Sequence, residues 1–230
     1  MNLEILFEDN EIIVCYKPAG IPTQTSKMGE QDMVSILKNY LYKKQAKKEP
    51  YVAVIHRLDQ PVEGLLVFAK TPFAAKELNK GLQGAGFGKY YKAVLWGVPK
   101  KASATLENYL VKDGRTNISR VGNENEKDAK KAVLSYEVLA TDKDDGREIS
   151  LVKVKLDTGR HHQIRVQMAN MGCSIWGDAK YNTVAVQDRR FRQIALCAYK
   201  LKFIHPKTRK KMEFEIQPHG EGFTKIILES

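Results

Sequence analysis

The sequence predicts an α+β fold, a mixed and mostly antiparallel β-sheet core with flanking helices. Three observations carry this expectation. Ala132–Ala140 alternates, with Leu134, Tyr136 and Val138 on one face, the period of a half-buried strand. Asp145-Gly146 then gives a hairpin signal before a second apolar stretch, Glu148–Leu156. Only a few segments carry the helical period, the clearest being Asp32–Gln45, where Met33, Ile36, Leu37, Tyr40 and Leu41 share a face. No repeat of solenoid period is present. The 230 residues suffice for one large domain or two small ones, and either could bury a substantial core.

The elements follow in order. Leu3–Phe7 and Glu11–Tyr16 read as strands joined by a turn at Asp9-Asn10. Lys17-Pro18-Ala19-Gly20 breaks the second strand and leads towards the first helix. Tyr51–Ile55, rich in β-branched residues, is a short strand, and Leu65–Ala69 is a more hydrophobic one; a polar loop from His56 to Glu63 joins them. Thr71-Pro72 starts a helix, with threonine as N-cap and proline in the first turn. Phe73, Ala74, Leu78 and Leu82 form its buried side, and Gly84 ends it. Lys89–Trp96 returns to strand. Asp113–Lys131 is polar, charged and poor in apolar residues, and reads as a solvated loop. Within Glu148–Leu156 the alternation shifts near Leu151-Val152, the mark of a bulge or of burial on both faces. Asp157 or Thr158 caps a helix running through Met171 and stopped by Gly172. Leu196–Phe203 and Lys211–Gln217 read as closing strands.

Lys and Arg number 38 against 27 Asp and Glu, a formal charge of +11. Such an excess favours a polyanionic partner, because each cation placed on a phosphate releases a counterion. Nucleic acid fits this better than an anionic membrane surface. The first residues, MNLEILFEDNEIIVCYK, lack the basic start and long apolar run of a signal peptide and carry Glu4, Glu8 and Asp9. No stretch nears the roughly 18–20 apolar residues that span a bilayer. Cys15, Cys173 and Cys197 are widely spaced and odd in number, so they read as buried thiols in a reducing cytoplasm, not as disulfides or a zinc site. A cytoplasmic protein without membrane association is expected.

Several patterns suggest chemistry that their spacing excludes. Gly84-Ala85-Gly86-Phe87-Gly88-Lys89 invites a phosphate-loop reading, but a P-loop needs glycine five residues before its Gly-Lys pair and Ser or Thr after it. Gln83 and Tyr90 occupy those positions. The dinucleotide pattern fails too, because a strand follows where a helix belongs. His161-His162, adjacent on a helix, would point about 100° apart, and no suitably spaced Cys or carboxylate joins them, so no metal site is expected. No Gly-x-Ser-x-Gly elbow occurs.

Two stretches remain. The first, His56-Arg57-Leu58-Asp59-Gln60-Pro61-Val62-Glu63-Gly64-Leu65-Leu66-Val67-Phe68-Ala69-Lys70, sets His, Arg and Asp on a polar loop between apolar strands. A rigid scaffold presents functional groups at such places, although an Asp–Arg pair stabilising a turn accounts for the same residues. The second is Leu156-Asp157-Thr158-Gly159-Arg160-His161-His162-Gln163-Ile164-Arg165. On its helix Arg165 lies with Met168 and Ala169 on an inward face. An inward arginine needs an anion, either a buried carboxylate or a phosphate, unless it snorkels to the surface.

Together these stretches resemble the RluA family of RNA pseudouridine synthases, whose pattern runs His-Arg-Leu-Asp-x-x-Thr-Ser-Gly-Leu-Leu and later Thr-Gly-Arg-Thr-His-Gln-Ile-Arg-Val. Val14–Pro22, Lys89–Gly97, Gly177-Asp178 with Tyr181, and His205-Pro206 are similar to further family blocks, so the likeness runs in order along nearly the whole chain. Two positions depart from it. Val62-Glu63 stands where the family has Thr-Ser, and His161 where it has Thr. By the resemblance the chain is expected to start at the family's catalytic domain, and the small N-terminal RNA-binding domain that many relatives carry is not expected in it.

The resemblance implies the pseudouridine synthase fold, a single catalytic domain over residues 1–230, and an enzyme that converts uridine to pseudouridine within RNA. In that reaction the C1′–N1 glycosidic bond breaks, the base rotates, and it rejoins through C5. No redox change or energy donor is involved, so no cofactor and no metal are expected. The resemblance makes Asp59 the catalytic carboxylate, whether for attack at C1′, addition to the base, or proton removal from the sugar. It makes Tyr91 a catalytic residue too, stacked on the uracil, with or without a part in proton transfer. It makes Arg165 the cationic partner of Asp59, since a carboxylate used as nucleophile or base must be ionised and a bidentate arginine would fix its oxygens. The target base must leave its stack, at a cost of about a few kcal/mol. Arg57 would fill the vacated space or hold the backbone, Ile164 would pack against the base, and His56, Arg160 and Gln163 complete the expected substrate-binding set. The expected partner is a structured RNA, an rRNA or tRNA stem-loop, bound by a monomer.

Overall fold

The computed structural model describes residues 3–44, 49–84, 86–182 and 193–226. In chain order its elements are β1 (Ile5–Glu8), β2 (Ile12–Lys17), α1 (Met33–Lys44), β3 (Ala53–Val54), β4 (Glu63–Ala69), α2 (Pro72–Gln83), β5 (Phe87–Trp96), β6 (Ser103–Asp113), β7 (Ile118–Gly122), β8 (Lys130–Asp144), β9 (Arg147–Leu156), α3 (Gln163–Asn170), β10 (Leu196–Ile204) and β11 (Lys211–Glu215). The fold is α+β with a mostly antiparallel sheet, as the sequence predicts. No helix among the described residues is long and apolar enough to cross a membrane. The chain divides into two compact units, residues 1–89 with 198–217 and residues 90–197 with 218–230.

In the first unit the strand order is β1-β2-β4-β10, with β3 on β4 and β11 on β10. β2 and β4 are antiparallel, from Ile12 opposite Ala69 to Lys17 opposite Gly64. Every residue of β4 is buried, which explains its apolar run without alternation: both faces are covered. One face joins Ile12, Val14, Leu65 and Val67 to Ala74, Ala75 and Leu78 of α2 and to Phe87 and Phe203. Gly64 has φ 134°, and a Cβ there would lie 2.6 Å from the backbone N and O of Ala198. Only glycine allows that approach. At the start of α2 the Thr71 hydroxyl accepts from the amide of Ala74 at 3.1 Å, the cap that Thr71-Pro72 predicts. Phe73 departs from expectation, being 52% exposed. It shares a side with Glu77 and Lys80 at helical spacing, while Ala74 and Leu78 set the buried stripe.

In the second unit the order is β5-β9-β8-β6-β7. β8 and β9 form a hairpin turned at Asp145 (φ 49°) and Gly146 (φ 76°), two left-handed residues of the kind that an Asp-Gly turn supplies. The register slips between Val138 and Ala140, opposite Val152 and Leu151. The extra residue is thus Leu139 of β8, and the shift visible at Leu151-Val152 is the partner side of that bulge.

The stretch expected to be a solvated loop, Asp113–Lys131, instead holds the end of β6, all of β7 and the start of β8. β6 pairs with β8 from Ser103–Glu137 to Leu110–Lys130, and with β7 from Tyr109–Gly122 to Asp113–Ile118. Its ladders rest on backbone pairing and on polar contacts such as Lys131–Glu107 at 2.6 Å, so little hydrophobic alternation marks them in the sequence.

Helix α3 also differs from expectation. It begins at Gln163 and its N-cap is His162 in a left-handed conformation, φ 54°. Thr158 caps nothing; its hydroxyl donates to Gln163 Oε1 at 2.8 Å and accepts from the amide of Val133 at 2.8 Å. All residues from Gln163 to Met168 are buried, and Gly172 (φ 88°) follows the helix as the predicted stop.

Candidate active site

Asp59 lies on the loop between β3 and β4, and the segment 17–23 after β2 grips that loop. The Thr23 hydroxyl donates to the Leu58 carbonyl at 3.0 Å and accepts from the Leu58 amide at 3.1 Å. The Gly20 amide donates to Gln60 O at 2.8 Å, and Gln60 Nε2 donates back to Gly20 O at 3.0 Å. Lys17 Nζ donates to Gln60 O at 3.1 Å, to Pro18 O at 2.9 Å and to Ile21 O at 2.7 Å. The Val62 amide closes a turn onto Asp59 O at 3.0 Å. Backbone is therefore held on both sides of Asp59, whose side chain is half-buried while Arg57 is exposed. Such a loop offers a carboxylate with little freedom to wander. In the sequence Lys17-Pro18-Ala19-Gly20 marks a strand break and, by resemblance, part of a family block, without showing what its groups hold. The available signal was that a loop's polar backbone must find partners somewhere.

The electrostatics around this loop come from buried groups. Burial pushes the Lys17 amine down to about 7, against the pull of the Asp59 and Glu63 carboxylates. Glu63 is buried at the start of β4 and accepts from the Tyr16 hydroxyl at 2.6 Å. His56 is held from the β4 side: its Nε2 accepts from the Val67 amide at 3.3 Å, and its ring meets Phe87 edge-on at 5.3 Å. Burial, with the charge of Lys89, lowers its pKa to about 3. His56 is thus a neutral wall of the loop's base.

In the second unit Tyr91 lies on β5, buried at 6% exposure. Arg165 of α3 is buried and meets the equally buried Asp178 in a two-pronged bond, Nε to Oδ2 at 2.8 Å and Nη2 to Oδ1 at 2.7 Å. This is the carboxylate that an inward arginine demands. Asp178 is itself fixed by the amides of Lys180 and Tyr181, at 3.0 and 3.3 Å. The Arg165 guanidinium lies 5.2 Å from the centre of the Tyr181 ring, a cation–π distance. Tyr181 Oη pairs with His162 Nδ1 at 2.7 Å and accepts from the Ser119 amide at 2.8 Å.

His161 and His162 stack on one another, ring centres 3.7 Å apart, rather than diverging on a helix, because both precede its first turn. The His161 ring also pairs with Ser119 Oγ of β7 at 2.8 Å. Gln163, expected to touch substrate, is buried and braces the turn before it. Its Oε1 accepts from the Thr158 hydroxyl and the Arg160 amide, and its Nε2 donates to Val133 O at 3.0 Å. The left-handed approach to α3 leaves these groups without helical partners, and the amide supplies them. Ile164 is buried, and Arg160 is exposed with its Nε bonded to Lys131 O at 2.8 Å.

The structure therefore places His56, Arg57 and Asp59 on the first unit, and Tyr91, Arg160, Gln163, Ile164 and Arg165 on the second. It adds Lys17, Thr23 and Glu63 around the Asp59 loop and Asp178 beneath Arg165.

Comparison with known proteins bears on both stretches. An uncharacterized RNA pseudouridine synthase of Bacillus subtilis is 32% identical over 211 residues, 90% of this chain and 66% of that protein. The ribosomal large subunit pseudouridine synthase D of Pseudomonas aeruginosa is 32% identical over 238 residues, 99% of this chain and 71% of that protein. The chain thus spans about two thirds of the length of the curated relatives it matches. Among solved structures, human RNA pseudouridylate synthase domain containing 1 aligns with a TM-score of 0.76 at 22% identity, covering 94% of this chain and 84% of that one; it shows that the fold is shared. A family model described as RNA pseudouridylate synthase matches residues 11–170. That span takes in the clamped Asp59 loop, Tyr91 and the Arg165 helix, and the chain belongs to the RNA pseudouridylate synthase family.

Proposed function

We propose that this protein isomerises uridine to pseudouridine in RNA and that Asp59 is the carboxylate that carries the reaction. The observation that carries the proposal is the clamped loop, in which Thr23, Gly20 and Lys17 fix the backbone on both sides of Asp59. A structural aspartate in a turn needs no such hold, whereas a reacting group gains from every restraint on its position. The resemblance assigns Tyr91 to stacking on the uracil and Arg165 to charge partnership with Asp59. The two-pronged bond to Asp178 supports the second role, because it orients the guanidinium before substrate arrives. Arg57, exposed beside Asp59, suits contact with the RNA around an extruded base.

The substrate is a structured RNA, rRNA or tRNA, bound by a monomer in the cytoplasm. The excess of 11 positive charges supports a polyanionic partner, and the Pseudomonas relative bears the name of a large-subunit ribosomal enzyme. The test is incubation with bulk tRNA and rRNA followed by chemical mapping of new pseudouridines. Asp59→Ala abolishes modification while RNA affinity is largely retained. An active Asp59→Ala protein, or a wild type that modifies neither RNA, overturns the proposal.

A further inference from the structure

His161 stands where the resembling family carries threonine, and neither the reaction nor the expected substrate-binding set uses it. It lies on the turn just ahead of α3, where its ring stacks on that of His162. The stack fixes the direction of the imidazole, and Nδ1 meets Ser119 Oγ of β7 at 2.8 Å. β7 is the last strand in the order of its sheet and pairs with β6. Ile118 and Arg120 on it are exposed, while Ser119 between them is 3% exposed. Alternation therefore turns Ser119 inwards, and its buried hydroxyl needs a partner there. Val121, on the same side of the strand, joins Val166 of α3 and Tyr181 in one apolar cluster.

Ser119 is a joint between two rings. Its hydroxyl meets His161, and its amide donates to Tyr181 Oη at 2.8 Å. Having accepted there, that oxygen has its own proton for His162 Nδ1, 2.7 Å away. The Tyr181 ring meets the His162 ring edge-on at 5.6 Å and has the Arg165 guanidinium 5.2 Å from its centre. A shift of β7 would thus draw the Tyr181 hydroxyl with it and change what the ring offers Arg165. Threonine at position 161 would carry its hydroxyl on Cβ, one bond short of the reach of Nδ1, and would have no ring to stack on His162.

We propose that His161 is a positioning residue: by holding Ser119 it keeps β7 seated on Tyr181, and so keeps the Tyr181 ring against the Arg165 guanidinium. Its bearing on the reaction rests on the role given to Arg165 above; the relay of contacts does not.

Amide hydrogen exchange read by ¹H–¹⁵N NMR tests the relay. In His161→Ala and in His161→Thr, the residue usual in relatives, the Ser119 amide exchanges about tenfold faster or more. The amides of Ile118 and Arg120, which alternation turns towards β6, exchange as in wild type. His161→Asn puts an amide group at the bond count of Nδ1 and restores the protection. The Arg165 Nε–H signal, identified by its loss in Arg165→Lys, shifts in His161→Ala as the Tyr181 ring moves, and returns in His161→Asn. A Ser119 amide or an Arg165 signal that is unchanged in the folded His161→Ala and His161→Thr proteins overturns the relay. Single-turnover pseudouridine formation on rRNA and tRNA tests its use. At saturating RNA the rate falls in His161→Ala while RNA affinity is kept, and adding Ser119→Ala makes it no slower than the slower single variant. An unchanged rate, a loss of affinity alone, or losses that add would overturn the positioning role. A wild type without synthase activity would refute the enzymatic reading alone, since the exchange and the Arg165 signal need no turnover.

Discussion

Replacing Thr23 with valine removes one oxygen and keeps the shape of the side chain. That oxygen donates to the Leu58 carbonyl at 3.0 Å and accepts from the Leu58 amide at 3.1 Å, and Thr23 is 2% exposed. Leu58 is buried as well. The substitution therefore strands a buried donor and a buried acceptor. Each costs about 1–3 kcal/mol, so the loss is about 2–6 kcal/mol, a large share of the ~5–15 kcal/mol that stabilises a domain. Valine fills the same space, so no cavity adds to it. Leu58 also precedes Asp59, and a carboxylate displaced by ~1 Å costs on the order of 10²-fold in rate. Urea denaturation measures the first effect and single-turnover pseudouridine formation the second. Thr23→Ser keeps the oxygen and should retain most of both. A Thr23→Val protein within about 0.5 kcal/mol of wild type and equal to it in rate would refute the claim that this oxygen holds the loop.

Two further expectations concern charge. Asp178→Ala leaves the Arg165 guanidinium buried without its carboxylate and should cost about 3–5 kcal/mol; thermal or urea unfolding checks this, and a variant as stable as wild type would contradict it. Glu8 gives a pH dependence. Burial raises its pKa, but hydrogen bonds from Lys44, Lys70 and Tyr40 outweigh burial and hold it down at about 2, against an ordinary 4.5. A folded-state value below the unfolded one means that its stabilisation is present above pH 4.5 and is lost as pH falls towards 2. Wild-type stability should therefore fall more steeply than that of Glu8→Gln across that window, and parallel curves would exclude the effect.

Much of the fold was legible because its signals are local. The Thr71-Pro72 cap, the Asp145-Gly146 turn and the bulge beside Leu151-Val152 each depend on residues near one another in sequence, and each appears where those residues put it. β6 and β7 were not legible, since their ladders are held by backbone pairing and surface ion pairs that leave little hydrophobic period to read. The site divides the same way. Asp59 stood out only when several motifs were taken together, and the inward Arg165 announced that it needed an anion. Which residue would meet such a need was hidden, because Thr23 lies 35 positions from Leu58 and Asp178 lies 13 from Arg165. A sequence pattern shows where a polar group must be satisfied and says little about which distant segment does it.

The two principal side chains are immobilised by opposite means, and the reason lies in their length. Aspartate has two side-chain torsions, so fixing its backbone nearly fixes its carboxylate. The Asp59 loop is accordingly held through peptide groups, by Thr23 at Leu58 and by Gly20 and Lys17 at Gln60. Arginine has four torsions, and a rigid helix beneath it would leave the guanidinium free to sweep. Arg165 is therefore held at its far end, by both oxygens of Asp178. The consequences of substitution differ accordingly. Changes in segment 17–23 should disturb the position of Asp59 while leaving its chemistry intact. Changes at Asp178 should release Arg165 while leaving its helix in place.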